Sequence, residues 1–266
     1  MSAEAGTARK LIAVCGKGGV GKTVLTAMLA NILAQSGRAG RLLLIDADPA
    51  MGLPATLGVR VKRTMGQVRE DIIRTARRSD PEKTASLVNT LDYMVLEALM
   101  ESQNYAVLAM GRTETLGCYC PVNDLLRAAI ASLSGSFDTI LIDGEAGLEQ
   151  LNRQVIRDIG LLIIVSDATS RGIETARIVK SLVTDEKVIN CERLGLVYNR
   201  VQDNRKLLED SARVVGLEVM GYVPLDSNIA HRDLMGQPIT TLPADSPGLQ
   251  AARQIAERFI LRWHTG

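Results

Sequence analysis

The chain is 266 residues long, 46% apolar and 23% charged, with 31 Lys and Arg against 30 Asp and Glu. Its 23 Gly and 8 Pro are the usage of an ordinary globular protein, which excludes a disordered tail, a collagen-like fibre and a coiled coil. A formal net charge of +1 argues against broad electrostatic capture of nucleic acid or anionic membrane, and two Phe and one Trp leave the core to aliphatic side chains.

Met1 to Lys10 is small and polar, without the apolar region of a signal peptide. No apolar run approaches the roughly 20 residues of a membrane helix; Gly160 to Val165 is among the longest. Four cysteines are too few for a disulfide framework, so a cytoplasmic protein with reduced thiols is expected. With no repeat, low-complexity tract or long linker, residues 1–266 are expected to form a single domain.

In chain order, strand candidates fall at Leu11–Cys15, Arg41–Asp46, Tyr93–Glu97, Thr139–Asp143, Leu161–Ser166, Leu194–Tyr198 and Glu218–Val223. Helical patterns separate them, the signature of parallel strands joined by crossover helices. Unbroken apolar runs such as Leu42 to Ile45 and Leu161 to Val165 suit strands covered on both faces. The first helical stretch, Lys22–Ser36, carries Leu25, Met28, Leu29, Ile32 and Leu33 at helical spacing, with Gly37 where a C-terminal cap belongs. These patterns predict a doubly wound α/β fold, a mostly parallel sheet with helices on both faces. In such sheets ligands bind at the carboxyl ends of the strands.

Directly after the first strand stands Gly16-Lys17-Gly18-Gly19-Val20-Gly21-Lys22-Thr23, a phosphate-loop pattern between strand and helix, as in a P-loop NTPase. Its glycines let backbone N–H groups turn toward phosphate oxygens, and the helix N-terminus adds positive potential. Lys22 would neutralise the terminal phosphates and the Thr23 hydroxyl would ligate magnesium. Asp46-Ala47-Asp48-Pro49 closes the second strand and Asp143 the fourth. Asp143 is the natural carboxylate for magnesium, held through water, and Asp48 is placed to orient an attacking water. Either could instead cap a helix.

Lys17, five residues before Lys22, makes this loop resemble the deviant phosphate loop of the MinD/ParA and nitrogenase-iron-protein superfamily of dimeric ATPases. In that superfamily the extra lysine crosses a nucleotide-sandwich dimer to the partner's phosphates. Asp48-Pro49 resembles its first switch, Asp143 to Gly147 its second, and Tyr198-Asn199-Arg200 its base-recognition segment. Val223-Pro224-Leu225-Asp226, followed by Gly236-Gln237-Pro238, resembles its adenine-side segment. The resemblance implies ATP hydrolysis through Lys17, Lys22, Asp48 and Asp143, with magnesium at Thr23, Asp48 and Asp143. It implies nucleotide (ATP or ADP) contacts from Gly18, Gly19, Val20, Gly21, Lys22, Thr23, Val24, Asn199, Arg200, Pro224 and Asp226. No Asn/Thr-Lys-x-Asp guanine motif is apparent, which favours ATP over GTP.

Gly117-Cys118-Tyr119-Cys120-Pro121 brings two thiols close together, but a closed tetrahedral site wants four ligands. A two-fold dimer would supply four sulfurs for zinc or, in a flatter geometry, nickel. Taken alone, two nearby cysteines are more commonly just small buried apolar residues. The surroundings, Met110-Gly111-Arg112, Val122-Asn123, Leu125 to Arg127 and Asp143 to Glu149, are similar to the CooC-type maturation ATPases of carbon monoxide dehydrogenase. That resemblance implies Cys118 and Cys120 as interfacial ligands for nickel or zinc. It also implies a homodimer promoted by nucleotide and metal, and carbon monoxide dehydrogenase or acetyl-CoA synthase as client. The sequence departs from that family at Thr113, Thr115 and Leu116, where Arg-Pro-Glu-Gly-Pro-Gly is common, and at Gly144.

Two rivals stand beside this reading. An iron–sulfur ATPase or reductase of the nitrogenase-iron-protein kind would want a cysteine within Glu145 to Asn152, and there is none. A positioning or partition ATPase would use a membrane or DNA, through Leu249–Trp263 as an amphipathic helix or through the basic stretch of Arg60, Lys62, Arg63, Arg69, Arg74, Arg77 and Arg78. Packing of the former against the sheet, and solvation of the latter among Glu70, Asp71, Asp80 and Glu82, are expected instead, so neither nucleic acid nor membrane is an expected partner. Cys15 is expected in the core; Cys191, His231 and His264 belong to no motif.

Overall fold

The structure, a computed structural model, describes residues 10–78, 91, 93–112, 128, 130–144, 158–187 and 189–264. Its frame is an eight-stranded sheet of β1 (Lys10–Gly16), β2 (Leu42–Asp46), β3 (Leu99–Glu101), β4 (Ala106–Ala109), β5 (Thr139–Asp143), β6 (Asp158–Ser166), β7 (Asn190–Val201) and β8 (Glu218–Pro224). The order is β3-β4-β2-β5-β1-β6-β7-β8, and every neighbouring pair is parallel except the edge pair β3–β4. The expected mostly parallel α/β sheet is therefore what forms.

Alternation along the central strands divides the core in two. Leu11, Ala13 and Cys15 of β1 face one side with Leu43, Ile45, Ile140 and Ile142; Ile12 and Val14 face the other with Leu42, Leu44 and Leu141. On the first side pack α3 (Met65–Arg78), α4 (Ser170–Thr184) and α5 (Arg205–Val215). On the second lie α1 (Lys22–Ser36), α2 (Gly52–Leu57) and α7 (Pro247–Ile255), while α6 (Ser227–Leu234) sits beyond β8. All five apolar residues of the expected α1 stripe are buried, and Gly37 ends the helix in the left-handed region, as anticipated.

The expected strand Tyr93–Glu97 does not exist. Residues 93–98 are helical, and burial follows a helical period: Leu91, Val95 and Ala98 are inside, while Tyr93 and Leu96 are 63% and 54% exposed. A short apolar run cannot by itself separate the two periods. The strand lies further on, in Ala106–Ala109, paired with β2 in the register Leu43↔Ala106, and β3 folds back on it as the edge.

The C-terminal stretch packs as expected. Ala252, Ile255, Ala256, Phe259 and Ile260 are buried against the sheet, and the Trp263 ring occupies the place a side chain at Gly160 would need. Among the described residues no helix is long and apolar enough to cross a membrane.

Candidate nucleotide and magnesium site

The candidate residues within the described chain gather at the carboxyl ends of the strands. Gly16 ends β1 with φ 138°, so close to β6 that any side chain would collide with the Val165 carbonyl. Gly21, at φ 88°, caps α1 without a side-chain hydrogen bond, so the first turn of α1 keeps N–H donors for an anion. Lys22 is buried at the first helical position, and its ammonium donates to the Lys17 carbonyl at 3.2 Å across the loop. A buried cation held to the loop backbone, beside the free N–H groups of a helix N-terminus, is an arrangement suited to phosphate.

Thr23 and Thr26, one turn apart on α1, both face Asp143. The Thr26 hydroxyl donates to Asp143 Oδ1 at 3.0 Å, and the nearby Thr23 hydroxyl helps to lower the proton affinity of this carboxyl. The other oxygen, Oδ2, is buried without a partner among the described residues. Burial pushes the Asp143 carboxyl up to about 6, against the lowering effects of Thr23, Thr26 and Lys22. A buried carboxylate oxygen with no donor, beside a threonine hydroxyl, suits a hard divalent cation or its water, which would restore the ionised form.

Asp46 lies directly across the β2–β5 pair from Asp143 and is fully buried. Its two oxygens accept from the backbone N–H groups of Asp48 and Leu53, both at 3.0 Å, which folds the Asp48–Leu53 turn over the site. Burial, then the Asp143 charge, push its carboxyl up to about 7. Asp48 is less buried; its carboxylate accepts from Ala50 N–H at 2.8 Å and makes an Asx turn. This turn reaches the phosphate loop, for a side chain at Gly52 would stand 3.3 Å from the Thr23 methyl.

On the other side of the loop, β7 carries bulges at Leu196/Val197 and Asn199/Val201, and Arg200 takes φ 58°. Bulges re-aim side chains, and both residues turn back onto the phosphate loop: Asn199 Nδ2 donates to Val20 O at 2.7 Å and Arg200 to Gly19 O at 3.1 Å. Val20 is buried beneath them, and Val24 is partly buried on the same first turn of α1. Pro224 ends β8. Asp226 is buried and works as a joint: it accepts from Asn228 N–H at 2.8 Å at the start of α6, and from Gly248 N–H at 2.9 Å and Ser246 Oγ at the start of α7. Lys17 is held by Asp167, beyond β6, at 3.2 Å.

Asp46, Thr26 and Asp167 are the residues that sequence reasoning missed. Asp167 had a signal, because it directly follows an expected strand; Thr26 had none. Cys118, Cys120 and the stretch from Glu145 to Glu149 lie outside the described residues. Cys15 is buried in β1, where desolvation pushes its thiol up to about 12, as befits a core residue.

The sequence profile of the CobQ/CobB/MinD/ParA nucleotide binding domain matches residues 11–239. An ATP-binding protein of Methanocaldococcus jannaschii is 37% identical over 94% of the chain and 98% of its own length. The carbon monoxide dehydrogenase accessory protein CooC of Rhodospirillum rubrum is 30% identical over 85% of the chain and 87% of its own. In architecture the chain is similar to the septum site-determining protein MinD of Pyrococcus horikoshii, solved with Mg-ADP, at a TM-score of 0.66 and 23% identity over 94% of this chain and 95% of that one.

Proposed function

Because the chain belongs to the CobQ/CobB/MinD/ParA nucleotide-binding family and is a P-loop ATPase of that family, we propose that it is a dimerising metal-loading ATPase. It would deliver nickel or zinc, carried by Cys118 and Cys120, to carbon monoxide dehydrogenase or acetyl-CoA synthase. The observation that carries the ATPase half is the buried, partnerless Asp143 oxygen at the end of β5, on a carboxyl bonded to the first turns of α1 through Thr26. The metal half is supported by the Cys118-Tyr119-Cys120 spacing and by the similarity to the CooC accessory protein.

Lys22 and the first-turn N–H groups of α1 bind and orient the β- and γ-phosphates of ATP, and Lys22 offsets charge that builds on them during transfer. Thr23 and Asp143 would hold magnesium, with Asp48 as a further carboxylate for it. Magnesium, when bound, neutralises phosphate charge and polarises the transferring group. Asp48 orients the attacking water; Asp46 fixes the turn that carries it. Asn199 and Arg200 hold the loop from behind and border the base with Pro224, while Asp226 fixes the starts of α6 and α7 behind that segment. Lys17 reaches the partner's phosphates, so that ATP closes the dimer and brings two cysteine pairs to one axis. Hydrolysis releases the contacts that hold the switches, and metal affinity changes with dimer geometry. The metal ion is cargo: it leaves for the client.

The test is activation of metal-free carbon monoxide dehydrogenase with nickel and ATP. Activation should need the chain and fail with Lys22→Ala or with Cys118→Ala/Cys120→Ala. Equal activation without the chain, or by both variants, would contradict the delivery role. DNA or vesicle binding that depends on ATP would instead favour a partition or positioning ATPase, which the MinD-like architecture supports as the second reading.

A further inference from the structure

Lys17 is not idle in the single protomer. Its ammonium lies 3.2 Å from Asp167 Oδ2, and the two side chains are 32% and 27% exposed. Asp167 follows β6, the strand beside β1, and is itself fixed: Thr169 Oγ1 donates to its other oxygen, and a side chain at Gly172 would collide with that oxygen. Thr169 is in turn the N-cap of α4, accepting from Gly172 N–H at 3.1 Å. Burial raises the Asp167 carboxyl, but the hydrogen bonds from Thr169 and Lys17 outweigh it and hold the group ionised below its ordinary range. The Lys17 backbone is tied as well, since its carbonyl accepts from Lys22. Only the Lys17 side chain is therefore left to choose between an acceptor in its own chain and one elsewhere.

We propose that Asp167 is a positioning residue for Lys17, a latch that keeps the lysine on its own protomer and so sets the concentration at which ATP drives dimerisation. The inference rests on the dimer reading of Lys17 above and adds the group with which the partner's phosphates compete. An ion pair still about a third open to water is only modestly bound, while a phosphate group carries more charge and more acceptor oxygens than one carboxylate. Exchange from Asp167 to phosphate is thus downhill only when a second, nucleotide-loaded protomer is present. Because Asp167 stays anchored to Thr169, the lysine must leave it rather than carry it along, which makes the choice a discrete one.

Molar mass of the full chain, measured by light scattering across protein concentration with magnesium and the non-hydrolysable analogue AMP-PNP, tests this. Two latches open per dimer, so Asp167→Asn should lower the half-dimerisation concentration by about five- to thirtyfold. Asp167→Glu, which restores the charge, should return it toward wild type. If Asp167→Asn does not fold, Asp167→Ser makes the same charge deletion. A wild type that dimerises while the charge-deleted variant has an unchanged or higher midpoint overturns the latch and leaves the dimer reading standing. A wild type that stays monomeric throughout overturns the dimer reading, and the latch with it.

Discussion

Asp46 and Asp143 face one another across adjacent strands, and the energy needed to ionise both decides when the site is ready for a cation. Their carboxyls are pushed up to about 7 and about 6, first by burial. An acid raised in the folded chain binds its proton more tightly there than when unfolded, so its stabilising contribution is complete below the ordinary value near 4 and is lost as pH rises through the folded value. The metal-free chain should accordingly melt on the order of 5 °C lower at about pH 7.5 than at about pH 5.5. Magnesium with ATP should stabilise more at the higher pH, since it binds the ionised form. Melting curves in chelator and in Mg-ATP check both; a flat metal-free profile between those pH values would contradict the burial account. At Lys22 the expected effect is on rate: Lys22→Ala should cut ATP turnover by at least about a hundredfold with the fold retained by circular dichroism, because phosphate charge would then build up without its buried cation.

Among the elements, the ends of β7 and β8 hold the site together without belonging to the phosphate-loop pattern. The Asn199 amide supports the loop through Val20 O at 2.7 Å. Asn199→Ala should weaken ATP binding about tenfold, the value of one well-made buried hydrogen bond, in an isothermal titration. Asp226 accepts three hydrogen bonds that start α6 and α7. Its replacement by Ala should cost about 2–3 kcal/mol in urea unfolding, through lost caps and buried donors left unpaired. A loss of ATP affinity with no loss of stability would place Asp226 at the base instead. The phosphate loop and its flanking strand and helix were legible because a glycine pattern encodes a backbone shape. Asn199 and Arg200 were legible as important residues, but their grip on the loop depends on a bulge and a left-handed Arg200 that no local pattern announces. Asp46 stood in plain view beside Asp48, yet its burial and its partner Asp143 come from strand order, and strand order is a long-range property. Tyr93–Glu97 shows the converse, a short apolar segment whose burial period appears only once the edge of the sheet is in place.

At the scale of the whole molecule, one sheet carries two kinds of control. Thr26 ties α1 to Asp143 at the end of β5, and Asp46 at the end of β2 holds the turn that follows it, while Lys17 and Asp167 tie the phosphate loop to the end of β6 on the other side. On the proposed dimer reading ATP acts on both, so that nucleotide state and dimer geometry would change together, and reciprocity would require whatever binds the dimer axis to alter nucleotide affinity. Lys17→Ala should accordingly remain monomeric with ATP in light scattering; dimerisation equal to wild type would remove the cross-dimer role. The most direct measurement is titration of the reduced chain with nickel and with zinc, with molar mass recorded in parallel and Cys118→Ala/Cys120→Ala alongside. One metal ion per two chains, lost in the double variant and bound with different affinity in ATP and ADP, is the result expected of a metal-loading ATPase. Metal binding that survives loss of both cysteines, or none in either nucleotide state, would contradict it.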